Sequence, residues 1–185
     1  MNVAKTIGRF DRLSNDWLVD LKMLDSEILQ INPDYKTWSL AEVYDHCMKV
    51  ARTYQIPNLR QSLTSTAIRK RGKNLTGVAI FDFEYRKNVH MKMEEFPARF
   101  VKLFSPEKRE KEDLVEDFTS FIQEVKFLED LVLKSENSNK QFHPMFGDIN
   151  TKEWYYLVEF HMWQHNKQKE KIKDYLRTGE LCFAC

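Results

Sequence analysis

Apolar residues recur at spacings of three and four along four long stretches of this chain, and that periodicity limits its possible folds more than any other feature. The first stretch runs from about Ala4 to Ile31 and carries Ile7, Phe10, Leu13, Trp17, Leu18, Leu21, Leu24, Ile28 and Leu29 before Pro33 stops it. The second opens on Ser39-Leu40-Ala41-Glu42, a capping box in which the Ser39 hydroxyl accepts from the Glu42 amide and the Glu42 side chain reaches back. Val43, His46, Cys47, Val50, Ala51 and Tyr54 then form one stripe. Pro57 is expected to kink or end this helix, with Asn58 to Arg69 continuing as a further helical piece. The third stretch runs from about Glu107 to Ser135, with Ser105 as N-cap, Pro106 at the first helical position and Leu114, Phe118, Phe121, Ile122, Val125, Leu128, Leu131 and Val132 facing the core. The fourth, from about Thr151 to Arg177, is capped by Asn150 or Thr151 and ends before Gly179. Trp154, Leu157, Val158, His161, His165, Gln168, Ile172 and Leu176 share its inward face.

Composition agrees with a helical reading. The chain has 185 residues but only 5 Gly and 5 Pro, too few for the turns of a barrel, a sandwich or a dinucleotide-binding sheet. A chain of this length buries roughly 70% of its unfolded surface, so residues 1–185 are expected to form one domain that needs no metal or disulfide merely to fold. A net charge of +1 argues against a nucleic-acid or anionic-membrane binder. Met1 to Arg9 contains no apolar leader region and no run of 18 apolar residues occurs. With the odd set Cys47, Cys182 and Cys185, this leads to the expectation of free thiols in the cytoplasm.

The connection from Lys70 to Phe104 is not a plain loop. Phe81, Phe83 and Tyr85 alternate with acidic residues, and Val89, Met91 and Met93 alternate with polar ones. A turn at Arg86-Lys87-Asn88 would pair Tyr85 with Val89, Phe83 with Met91 and Phe81 with Met93. The expected fold class is therefore all-α: a four-helix up-down-down-up bundle whose second and third helices run parallel. A long crossover, in the form of a small β-hairpin or an extended segment, joins those two helices.

The histidines carry the chemistry. His161 and His165 lie one helical turn apart on an inward face, within reach of a common ion. His46 lies on the inward stripe of the second helix, so packing the two helices together brings three imidazoles to one point. Three neutral imidazoles leave an open position on Zn or Ni. The residues alone also admit buried histidines that are merely hydrogen-bonded. The zincin arrangement is absent, because Met162, Trp163 and Gln164 follow His161.

The pattern Trp38-Ser39-x-x-Glu42-x-x-x-His46, followed by His143-Pro144-x-Phe146-Gly147, Glu153-Trp154 and His161-x-x-x-His165-x-x-Gln168, resembles the DinB-like superfamily. These are DNA-damage-inducible-type four-helix proteins, many of them regarded as metalloenzymes. The resemblance spans about Trp17 to Leu176. It implies an up-down-down-up bundle, often a homodimer, with a divalent metal on His46, His161 and His165. Characterised members include transferases and isomerases that use a low-molecular-weight thiol, and hydrolase-like proteins; others have no known activity. The resemblance thus implies a metal-dependent enzyme acting on a small molecule, thiol-transferase-like or hydrolase-like, without naming the substrate. The alternative is a non-catalytic helical bundle, a ligand-binding or dimeric interaction protein whose histidines hold no metal.

Other residues have more than one reading. Gln168, one turn after His165, orients a ligand or is a buried amide satisfied by backbone. His143 lines the rim of a pocket or fixes the turn at Pro144. Glu42 is explained by capping, and Glu159 is expected to face solvent rather than support His161. Cys47 points about 100° away from His46 and belongs to the core. Arg69 to Lys73 is expected to be a solvated basic loop, His90 to be exposed, and Cys182-x-x-Cys185 to be a tail. The aromatics crowded between Phe142 and Trp163 exceed what one helical face holds, so some are expected to cover the crossover or a second copy.

Overall fold

A computed structural model describes residues 1–34, 36–64, 71–86, 98–136 and 139–179. It is mostly helical, with a small two-stranded antiparallel sheet. Helix α1 spans Val3–Met23, and its first turn is capped by the Asn2 side chain, which accepts from the Lys5 amide. The single turn α2, Ser26–Leu29, follows it. The chain then turns through Asp34, whose carboxylate accepts the amides of Lys36 and Thr37. Asn32 bonds the Thr37 carbonyl and the Glu42 carboxylate, which ties this turn to the next helix.

Helix α3, Leu40–Val50, starts at the expected capping box. A π-helical turn, Ala51–Gln55, joins it to α4, Ile56–Thr64. Pro57 therefore neither ends nor interrupts the helical path. The wide turn directly before it shifts the hydrogen-bond ladder, so that Ile56 donates to Ala51 and the missing Pro57 amide is accommodated.

The crossover differs from the expected hairpin. Its first arm folds as a short turn, α5 (Leu75–Gly77), followed by a π-helical turn, Val78–Asp82. Ile80 and Phe81 are buried while Phe83 and Tyr85 are exposed, so the apolar alternation never forms one sheet face. The proposed second arm, Val89 to Met93, lies outside the described residues. Helix α6, Ala98–Phe104, follows.

Ser105 and Pro106 do not start the next helix. Ser105 closes α6, with its hydroxyl bonded to the Val101 carbonyl, and α7 begins only at Lys111 and runs to Phe127. The intervening residues are held extended by other partners. Glu107 donates its amide to Asp45, and Arg109 accepts from Gln30 through its carbonyl. The short α8, Glu129–Lys134, completes this stretch.

Strands β1, Lys140–His143, and β2, Gly147–Asn150, pair in register from Lys140–Asn150 to His143–Gly147. Their three-residue loop closes through the Phe146 amide on the His143 carbonyl, and Gly147 takes the left-handed conformation that such loops need, at φ 79°. Gly147 is also pressed on by the crossover: a Cβ there would lie 2.7 Å from the Gly72 carbonyl oxygen. Asn150 ends β2 and caps helix α9, Thr151–Thr178, in a second capping box with Glu153. Lys73, expected in a solvated loop, instead reaches Glu153 at 2.5 Å and Asp82 at 2.7 Å.

Helix α9 packs against α1, α3 and α4, while α7 packs against α1 and α3. Between them lies an aromatic core. Trp17 meets Tyr44 at 5.0 Å and Phe118 at 6.2 Å, and Phe10 meets Phe121 at 6.2 Å. Two polar edges inside this core are paired: the Trp17 indole donates to Asn166 and the Tyr44 hydroxyl donates to the Trp17 carbonyl, each at 2.7 Å. Phe146, Trp154, Tyr155, Tyr156 and Phe160 are all buried within the chain itself, whereas Phe142 is exposed. Among the described residues, no helix is long and apolar enough to cross a membrane.

Candidate metal centre

Two capping boxes set the phases of the two helices that carry the histidines. The box at Ser39 starts α3 so that His46 falls on the side facing α9. The box at Asn150 starts α9 so that His161 and His165, one turn apart, face back. The imidazole centroids are 5.1 Å apart for His46–His161, 4.8 Å for His46–His165 and 4.6 Å for His161–His165. One ring nitrogen from each lies within 4.8 Å of the other two. The Nε2 atoms of His161 and His165 approach to 3.2 Å. Zinc–nitrogen bonds of about 2.0–2.1 Å at a tetrahedral angle place ligand nitrogens roughly 3.3 Å apart, so that pair already has ligand spacing.

The outer ring nitrogens are held by the protein. His46 Nδ1 lies 2.7 Å from the Phe104 carbonyl, which can only accept. The proton of His46 therefore sits on Nδ1 and its Nε2 carries a lone pair. His165 Nδ1 lies 2.8 Å from Gln168 Oε1, with the same consequence. Histidine ligands are commonly oriented in this way, through a hydrogen bond from the far nitrogen.

The rings are neutral at ordinary pH. Burial pushes His46 down to about 3, with a further push from His165 that the Phe104 bond only partly opposes. Burial first, then His165 and His46, hold His161 well below its usual value. Burial also lowers His165, against the bond to Gln168. His46 and His165 turn lone pairs inward, and in the metal-free protein the Nε2–H of His161 can donate to His165 Nε2 at 3.2 Å. A divalent cation satisfies all three at once, so the donor set fits one. Among the described residues the group contains these imidazoles and neither a carboxylate nor a thiol. Cys47 is buried in the core, where the loss of water strongly disfavours its thiolate.

Trp38 forms one wall of the site. Its ring centroid is 4.7 Å from that of His46, and it stacks on His165 at 6.1 Å with only 16° between the planes. The Asp34 carboxylate orders the approach to Trp38 by holding the amides of Lys36 and Thr37.

The sequence reading anticipated the three histidines and Gln168 but not their carbonyl support. Phe104 contributes a backbone oxygen from a distant part of the chain, and a backbone atom leaves no side-chain signal. His143 is not part of the group. It is buried in a box formed by Tyr54, Phe146 and Trp154, and its Nδ1 accepts the Met145 amide at 3.2 Å. Its role is to fix the turn at Pro144, and burial lowers its pKa to about 3. Glu159 does not face solvent. It is 1% exposed and is paired with Arg86 at 2.8 Å and Arg9 at 3.5 Å. The Arg86 guanidinium in turn lies 4.4 Å over the Trp163 ring, so this buried pair ties the crossover to α1 and α9. Cys182, Cys185 and His90 lie outside the described residues.

No family model matches the chain. It is similar to the uncharacterized protein YuaE of Bacillus subtilis (strain 168), with 27% identity over 156 residues, which cover 84% of this chain and 89% of that protein.

Proposed function

We propose that the chain is a metal-dependent enzyme of the DinB-like type. In this reading α1, the α3–α4 unit, α7 and α9 are the four members of an up-down-down-up bundle. A divalent cation, Zn or Ni, is held by His46, His161 and His165. The observation that carries the proposal is the convergence of three imidazole nitrogens, on buried His46 and His161 and half-buried His165, with the outer nitrogens of His46 and His165 fixed by Phe104 and Gln168. Bound there, the cation supplies Lewis acidity at a coordination position that the three histidines leave open.

The chain's own residues prepare that position. Burial keeps the imidazoles unprotonated, so no proton has to leave before they bind. The Phe104 carbonyl and Gln168 fix the ring angles. Trp38 covers the site on one side and excludes water there. The reaction class in this proposal is transfer of a low-molecular-weight thiol or hydrolysis of a small substrate, carried out by a homodimer.

Competition with a chromophoric chelator tests the site. The proposal expects wild-type protein to take Zn(II) or Ni(II) from the chelator, and His46→Ala and His161→Ala to lose that ability. Wild-type protein that leaves both ions with the chelator would overturn it and bring forward a bundle with empty histidines.

A further inference from the structure

The segment that follows α6 is pinned to α3 at points that bracket His46. His46 itself donates from Nδ1 to the Phe104 carbonyl at 2.7 Å. Phe104 is the last residue of α6, where helix carbonyls point beyond the final turn, and His46 bonds to this one. On one side, Asp45 Oδ2 accepts the Glu107 amide at 2.7 Å. On the other, Lys49 Nζ donates to the Ser105 carbonyl at 3.2 Å. Lys49 also bridges Asp45 Oδ2 at 3.0 Å and Glu107 Oε1 at 3.1 Å, and Arg109 approaches the other Asp45 oxygen at 3.8 Å.

Asp45 is 2% exposed. A buried carboxylate is costly unless its hydrogen bonds and charge are met. Here they are met by Lys49 of α3 itself and by the Glu107 amide and Arg109 of the segment whose carbonyl holds His46. That anchor adds to the Lys49 bond and to the Ser105 closure of α6 in fixing the Phe104 carbonyl.

We infer that Asp45 is a positioning residue: by gripping the Glu107 amide it fixes the Phe104 carbonyl, and through it the tautomer and ring angle of His46. The consequence for metal affinity rests on the reading given under Proposed function. The consequence for the His46 tautomer does not.

The test uses full-length Asp45→Ala, Asp45→Asn and Lys49→Ala, with Glu124→Ala as a control. Glu124 pairs with Arg52 and Arg60, and among the described residues it forms no ion pair with the anchored segment. The first readout is the His46 tautomer in metal-free protein, from long-range proton–nitrogen correlations of the imidazole. The second is Zn(II) affinity by chelator competition, with the visible absorption of the Co(II) form as a report on ligand geometry.

Wild type, Asp45→Asn and Glu124→Ala are expected to show His46 protonated on Nδ1. The asparagine oxygen can still accept the Glu107 amide. Asp45→Ala is expected to show mixed tautomers, an altered Co(II) spectrum and a loss of Zn(II) affinity of about 10–100-fold, the usual range for a lost supporting partner. Lys49→Ala is expected to move both readouts in the same direction by less. Asp45→Ala with an unchanged tautomer and affinity overturns the inference. If that variant does not fold, Lys49→Ala decides, and no change in either readout overturns it. If wild type binds no Zn(II), the metal reading fails, while the tautomer comparison still decides the role of Asp45.

Discussion

Replacing His161 with leucine separates a metal ligand from an ordinary core histidine. His161 is buried, and its Nε2 meets that of His165 at 3.2 Å, a hydrogen bond in which His161 donates because the His165 proton sits on Nδ1. Removing one partner of such a bond and leaving the other unpaired costs about 1–3 kcal/mol. His161→Leu therefore destabilises the metal-free protein by about that amount, although leucine fills a similar volume. At about 2–4 °C per kcal/mol for a chain of this size, metal-free His161→Leu melts roughly 2–12 °C below metal-free wild type. Wild type gains about 2.7 kcal/mol from a cation at 100 times its dissociation constant, and the variant gains nothing.

The comparison also depends on pH. The folded-state pKa of His161 is held below its unfolded value, first by burial and then by the neighbouring His165 and His46. Such a group contributes fully above about pH 6.5, and that contribution is lost as the pH falls, because the unfolded chain takes up the proton first. The gap between metal-free wild type and metal-free variant therefore narrows from pH 7.5 to pH 5. Differential scanning calorimetry at both pH values, with chelator or Zn(II), measures every term. Excess Zn(II) is expected to widen the gap by the gain of wild type alone. A His161→Leu protein that gains as much from Zn(II) as wild type does would refute the reasoning, because its stabilisation by the ion would not depend on the His161 imidazole.

Three other substitutions have defined outcomes. Gln168→Ala removes the partner of His165 Nδ1 and is expected to weaken Zn(II) binding about 10–100-fold while leaving the helical circular dichroism unchanged. Glu159→Ala leaves Arg86 and Arg9 facing each other without their shared carboxylate, and urea denaturation is expected to show a loss of about 3–5 kcal/mol. Gly147→Ala forces a side chain into a left-handed backbone position against the Gly72 carbonyl, and the same assay is expected to show at least about 1–3 kcal/mol lost.

Local signals with one satisfying conformation were legible in the sequence. The Ser39–Glu42 box, the i, i+4 histidines and the Gly179 stop depend on residues within a turn of each other, and the structure places them as read. Signals that depend on distant partners were not. Phe81 to Tyr85 alternates like a strand, but Phe81 is claimed by Phe146 and Tyr156, and a π-helical turn delivers it there. Ser105 and Pro106 look like a helix start, but Asp45 takes the Glu107 amide and Gln30 donates to the Arg109 carbonyl, so the helix begins later. Glu159 looks like a surface acid until Arg9 and Arg86 arrive from elsewhere in the chain. The same holds at the candidate centre. The three imidazoles could be read from spacing, whereas the Phe104 carbonyl behind His46 required the fold.

Metal content by elemental mass spectrometry tests the central claim most directly, on untagged protein beside His46→Ala and His161→Ala. The account predicts about one Zn or Ni per chain in wild type and none in either variant, in keeping with a three-histidine site that loses its ion when a ligand is removed. Wild-type protein without metal after incubation with both ions, or variants that retain it, would contradict the account.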